Sequence, residues 1–231
     1  GPVGTDDRCD LEDPKIILAQ LNTSTVNLPA QGIASTIPVS DCTSMMESVL
    51  DSASRSDATG TASAALPVLA QYPDSHEAKH ALQEVEFLAA NGTAAQLRDM
   101  ATAVINAGLE HQSAPEAYAA CAVAHAYAAS QEASKNEQAA YDAYGYVVDA
   151  ASRSLSLYPN APEAYRLTGL LLDAADYVGE REAVDALAKP QPGTLLAWRL
   201  AELQTGERPP FSALQDAEAK YGLLAAWRQD I

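Results

Sequence analysis

Apolar residues recur at helical spacing along most of this chain, and the pattern begins near residue 41. Met45, Met46, Val49 and Leu50 form one such stripe and predict a helix over 41–55. Further on, each apolar run opens on a residue suited to cap it. Ser75 precedes a run that continues to about residue 90 and stops at Asn91-Gly92. Thr93 with Gln96, and Ser113 with Glu116, have the spacing of capping boxes and open helices at 94–109 and 114–130. Longer and shorter runs predict helices at 134–157, 161–177, 180–188, 194–204 and from Ser212 to about 229, with Asn160 and Glu163 expected to cap the 161–177 helix. A helix over 60–71 is kinked or started by Pro67.

The first forty residues read differently. Residues 1–12 read as tail, with Gly1-Pro2 resembling a cleavage scar that would place the natural start elsewhere. Asp13 and Pro14 can start a short helix through Leu21. Residues 22–40 are punctuated by Pro29, Gly32 and Pro38, rich in β-branched residues, and predict an extended segment. It still carries Val26, Leu28, Ile33, Ile37 and Val39, so it is expected to pack against the helices, as a cap on one end of them or as a lid over a pocket. The chain thus divides into 1–12, 13–40 and a single helical domain at 41–231.

Three segments resemble one another: Tyr72-Pro73-Asp74-Ser75-His76-Glu77-Ala78, Ala114-Pro115-Glu116-Ala117-Tyr118 and Tyr158-Pro159-Asn160-Ala161-Pro162-Glu163-Ala164-Tyr165. Each places a turn before Glu-Ala at the head of an Ala-rich helix, the mark of a recurring helical hairpin. The chain resembles the tetratricopeptide-repeat family over residues 60–180. Its pitch is longer, 39 residues from Glu77 to Glu116 and 47 from Glu116 to Glu163, against about 34 in that family. The resemblance implies an all-α fold of stacked antiparallel hairpins, an α-solenoid or compact helical bundle, with an extended N-terminal segment. It also implies a groove or pore that receives a partner. The chain is more loosely similar to periplasmic T components of TRAP transporters, compact helical proteins with an apolar pore. That similarity implies an apolar small-molecule ligand such as a lipid or sterol in place of a protein or peptide partner. Groove residues expected from helix position are Tyr118, Tyr127, Tyr141, Tyr144 and Tyr165, with His125 beside them. For His125 the commonplace alternative is a satisfied histidine between helices.

Composition narrows the choice of partner. Of 231 residues 48% are hydrophobic, enough for a core, but only 6% are aromatic, so Ala, Leu and Val must build it. The formal net charge is −17, a field that repels a nucleic-acid backbone and keeps the chain soluble. No apolar stretch is long enough to span a membrane. Cys9 and Cys42 flank the loop-rich segment and are the disulfide candidates, whereas Cys121 sits inside an Ala-rich helix as a small hydrophobe. A bridge would place the protein in the periplasm or another exported location.

One catalytic pattern is present. His76-Glu77-Ala78-Lys79-His80 matches H-E-x-x-H, in which two histidines one turn apart hold zinc and the glutamate serves as base. Against a zinc hydrolase stand the position of His76 in a first helical turn, the charge of Lys79, and the lack of a recognisable third ligand. Glu77-Ala78 is also already accounted for by the repeat. His76 and His80 are therefore weak metal candidates, and no cofactor and no enzymatic activity are expected.

Overall fold

The structure is a computed structural model that describes residues 38–229. Ten α-helices make up the described region: α1 (Pro38–Ser54), α2 (Ala58–Gln71), α3 (His76–Asn91), α4 (Ala94–Asn106), α5 (Ala114–Ala133), α6 (Glu137–Leu157), α7 (Pro162–Val178), α8 (Arg181–Ala188), α9 (Leu195–Thr205) and α10 (Ala217–Gln229). The fold is all-α, and consecutive helices pack on one another across short turns, except α3 and α4, which do not pair closely. The odd-numbered helices α3, α5, α7 and α9 lie side by side in one row. Helix α2 packs behind that row on α3, α4 and α5, and α10 closes the far end on α7 and α9.

Caps fix where the helices begin. Thr93 and Gln96 form the expected box, each side chain accepting the other's backbone N–H. Ser75 Oγ accepts from the Ala78 amide at 3.0 Å and donates to the Tyr72 carbonyl at 2.6 Å, fixing the turn into α3. Ser113 Oγ caps α5 through the Glu116 amide at 3.2 Å. Its hydroxyl also donates to the Leu69 carbonyl at 2.7 Å, which pins the start of α5 to the end of α2.

Four boundaries differ from expectation. Helix α1 starts at Pro38, inside the stretch read as extended, because proline suits a first helical position. Pro67 lies in the interior of α2 and does not start it. Asn160 does not cap α7, whose N-cap is Ala161. The Asn160 side chain turns away instead, accepting the Leu195 amide at 2.9 Å and donating to Asp216 at 3.3 Å, so it joins the heads of α7, α9 and α10. Ser212 lies in a short 3-10 turn, Phe211–Ala213, and the residue that meets α10 is Asp216, whose Oδ1 accepts from the Ala219 amide at 2.7 Å. The short helix expected after Asp13 and the extended run up to residue 37 lie outside the described residues.

The core is built from small side chains. In α5 every residue from Ala114 to Cys121 is buried, because the helix is enclosed by α2, α3, α4, α6 and α7. Alanine lets those backbones approach closely, and Leu69, Leu155, Leu167, Leu171 and Leu223 fill the remaining space. Gly222 marks the closest approach: a Cβ there would lie 2.1 Å from the Asn160 carbonyl oxygen. Among the described residues no helix is long and apolar enough to cross a membrane.

Candidate functional site

Of the five sequence-predicted tyrosines, three are buried, one is half-buried and one is exposed. Tyr118 is 7% exposed, and its hydroxyl donates to Glu86 Oε2 at 3.3 Å. Arg166 Nη1 donates to the same oxygen at 3.0 Å, so α3 and α7 are joined across the intervening α5. Burial, and next the Glu86 carboxylate, push the Tyr118 phenol up to about 12. Tyr165 on α7 donates to Glu202 Oε1 at 2.9 Å, and the Arg199 guanidinium lies 4.0 Å over its ring. Burial alone would raise the Glu202 carboxyl, but its bonds to Arg208, Arg199 and Tyr165 outweigh that and hold it below its ordinary value.

Tyr144 and His125 meet elsewhere, between α5, α6 and α7. Tyr144 donates to Glu132 Oε2 at 2.9 Å and packs on Tyr177 with ring centroids 4.8 Å apart. His125 meets the Tyr144 ring edge-on at 5.6 Å, and its Nε2 lies 3.3 Å from Asp173. Burial first, then the Glu132 hydrogen bond, push the Tyr144 phenol upward. Tyr127 is half-buried against the core, and Tyr141 is exposed on α6. The hydroxyls of Tyr118, Tyr144 and Tyr165 are thus spent on glutamates of neighbouring helices. Met46 is in the core, and Met45 packs against it.

The H-E-x-x-H residues face different surroundings. His76 and His80 are exposed, and His80 Nε2 sits 3.5 Å from Glu84 one turn on. Glu77 is 2% exposed and lies on the buried side of α3. Among the described residues no group of three His, Cys, Asp or Glu side chains is placed to hold a metal ion. Cys42 is fully buried and disulfide-bonded. Cys121 is a free thiol, and burial raises it. Cys9 lies outside the described residues.

A larger recess involves none of the residues that the sequence singles out as groove candidates. It is a cleft of about 350 Å³ between α2, α4 and the turn into α5. Leu66, Pro67 and Ala70 form one wall, and Ala103, Val104 and Ala107 the other. Short side chains on both walls leave the space open. Helix α4 ends at Asn106, and Gly108 then adopts φ +106°, a conformation that favours glycine and swings the chain back. The turn so made brings Glu110, His111 and Gln112 to the mouth of the cleft, with Glu116 from the first turn of α5 beside them.

These polar groups are held in place. Tyr146 of α6 donates to the Gly108 carbonyl at 2.9 Å, and His111 Nε2 meets the same hydroxyl at 3.1 Å. His111 Nδ1 lies 3.6 Å from Glu116 Oε1, which accepts the Gln112 amide at 2.8 Å. Glu116 is 8% exposed. Burial dominates in pushing the Tyr146 phenol upward, with Cys121 and the Glu116 carboxylate adding to it. On the other side, Ser63 and Pro67 both line the cleft. Pro67 has no N–H to offer the Ser63 carbonyl one turn earlier, so that carbonyl lacks its usual helical partner. A second, smaller recess of about 210 Å³ lies near the start of α2 and the end of α3, with Phe87 at its edge.

No protein-family model matches this chain, and neither does a curated protein or a solved structure.

Proposed function

We propose that this chain is a non-enzymatic binding protein of the bacterial envelope, a tetratricopeptide-like stack that receives a small ligand in the cleft between α2, α4 and α5. The observation that carries this reading is the form of the cleft. Two apolar walls lead to a mouth where His111 and Glu116 are held in fixed positions. Ligand sites are commonly of this kind, with apolar lining and a few oriented polar groups. Its volume of about 350 Å³ is at the small end of that range. The disulfide-bonded state of Cys42 supports an oxidising compartment and hence export.

Carriage of a lipid or sterol draws less support. The buried tyrosines and Met46 that would line an apolar pore are packed into contacts between helices. The zinc hydrolase draws less still, since Glu77 is buried while His76 and His80 are exposed.

A native mass spectrum of freshly purified protein, recorded before and after denaturation, tests the reading. One equivalent of a small organic adduct, released on denaturation, is expected. A bare native mass that no small molecule in a metabolite extract shifts would count against it, and a stoichiometric zinc adduct would restore the hydrolase.

A further inference from the structure

We propose that the cleft between α2, α4 and the turn into α5 selects small organic cations, with an ammonium head at Glu116 and an apolar body between the two walls. This rests on the reading of the cleft as a binding site and adds the class of ligand. Three observations lead to it.

The first is the charge of the lining. It contains two carboxylates, Glu110 and Glu116, and no lysine or arginine. Glu110 is already engaged by Arg153 at 3.3 Å on the outer surface. Glu116 is different: its side chain is 11% exposed, and Oε1 takes the Gln112 amide and faces His111 Nδ1 at 3.6 Å. Among the described residues Oε2 has no hydrogen-bond donor and is open to solvent. A largely buried carboxylate with one oxygen still open to solvent favours a cationic partner over a neutral one.

The second is the surplus of acceptors. An ammonium group has three N–H donors and no acceptor. The cleft offers Glu116 Oε2, and it is lined by Ser63, an exposed residue whose carbonyl Pro67 leaves without its helical donor. An anionic ligand would meet the Glu116 carboxylate and find no lysine or arginine in the lining. A neutral apolar ligand would offer a donor to neither acceptor.

The third is the field of the molecule. At a formal net charge of −17 it draws cations towards its surface and repels anions. His111 sits between Tyr146 and Glu116 and holds the carboxylate side chain against the turn.

The test uses three probes of matched shape: phenethylammonium, 2-phenylethanol and phenylacetate. Methyl NMR of the intact chain is followed at Leu66 and Val104, with Leu223 at the far end of the stack as the silent reference. Phenethylammonium is expected to shift Leu66 and Val104 and to bind about tenfold more tightly than the alcohol, with phenylacetate weaker than either. Glu116→Gln keeps an oxygen for the Gln112 amide and should bring the ammonium down to the affinity of the alcohol. Ala103→Leu fills the cleft and should abolish the shifts from every probe.

Equal affinity of ammonium and alcohol, with shifts still at Leu66 and Val104, would overturn the cation proposal and leave the cleft reading standing. Silence of Leu66 and Val104 towards all three probes would overturn both. The comparison of probes on the wild-type chain needs no variant, so a Glu116→Gln protein that failed to fold would still leave a decision.

Discussion

Asn160 shows how much one side chain does in this fold. Its amide accepts from Leu195 and donates to Asp216, so a single residue fixes the starts of three helices. Asn160→Ala would leave the buried Leu195 amide without its acceptor. A loss of about 2 kcal/mol in urea unfolding is expected, and a loss within error would show that water replaces the side chain. Tyr118 supplies a second residue-scale prediction. Its folded phenol is raised to about 12 from an ordinary value of 10.0. The stability it contributes is therefore fully present below pH 10 and is lost as pH rises from about 10 towards about 12, because the unfolded chain ionises first. Absorbance at 295 nm should show phenolate from this residue appearing late, and Tyr118→Phe should lessen the alkaline loss of stability. Early ionisation of a phenol that disappears in Tyr118→Phe would contradict the burial described for it.

At the scale of elements, α5 and α2 carry the argument. The first half of helix α5 is enclosed, and Ala120 within it is fully buried. Ala120→Leu must push apart helices that meet through alanine. A loss of about 1–3 kcal/mol is expected by chemical denaturation, and an unchanged midpoint would refute close packing there. Helix α2 holds Pro67 in its interior at a cost to its own hydrogen bonding. Pro67→Ala supplies an N–H to the Ser63 carbonyl, so a higher melting temperature is expected together with weaker binding in the cleft. A lower melting temperature would indicate that the Ser63 carbonyl is already satisfied.

Much of this level was legible in the sequence, and the failures have physical causes. Thr93-Gln96 and Ser75 were readable because a cap and its target are three residues apart. Asn160 was misread because its partners lie 35 and 56 residues away. Helical position singles out the tyrosines but says nothing of the glutamates that take their hydroxyls: Glu86 lies 32 residues from Tyr118, and Glu202 lies 37 from Tyr165. The cleft left only a faint signal. It is made by short side chains facing one another, Ala70 against Ala103 and Ala107, and the one local cue was a proline inside an Ala-rich helix.

For the whole molecule, the row formed by α3, α5, α7 and α9 is a framework, and the recess lies behind it, between α2 and α4. The braces between Tyr118, Glu86 and Arg166 and between Tyr165, Arg199 and Glu202 hold neighbouring helices in register. The first of them keeps α5 fixed, and α5 in turn presents Glu116 to the cleft. Binding in a hairpin stack depends on such surfaces more than on the fold itself, which serves many functions. The most direct measurement is a thermal-shift screen of small organic amines, alcohols and acids on the wild-type chain and on Ala103→Leu in parallel. The account predicts that amines raise the melting temperature of the wild type and leave Ala103→Leu unmoved. Amines that stabilise both proteins equally, or a wild type that responds to no compound, would contradict it.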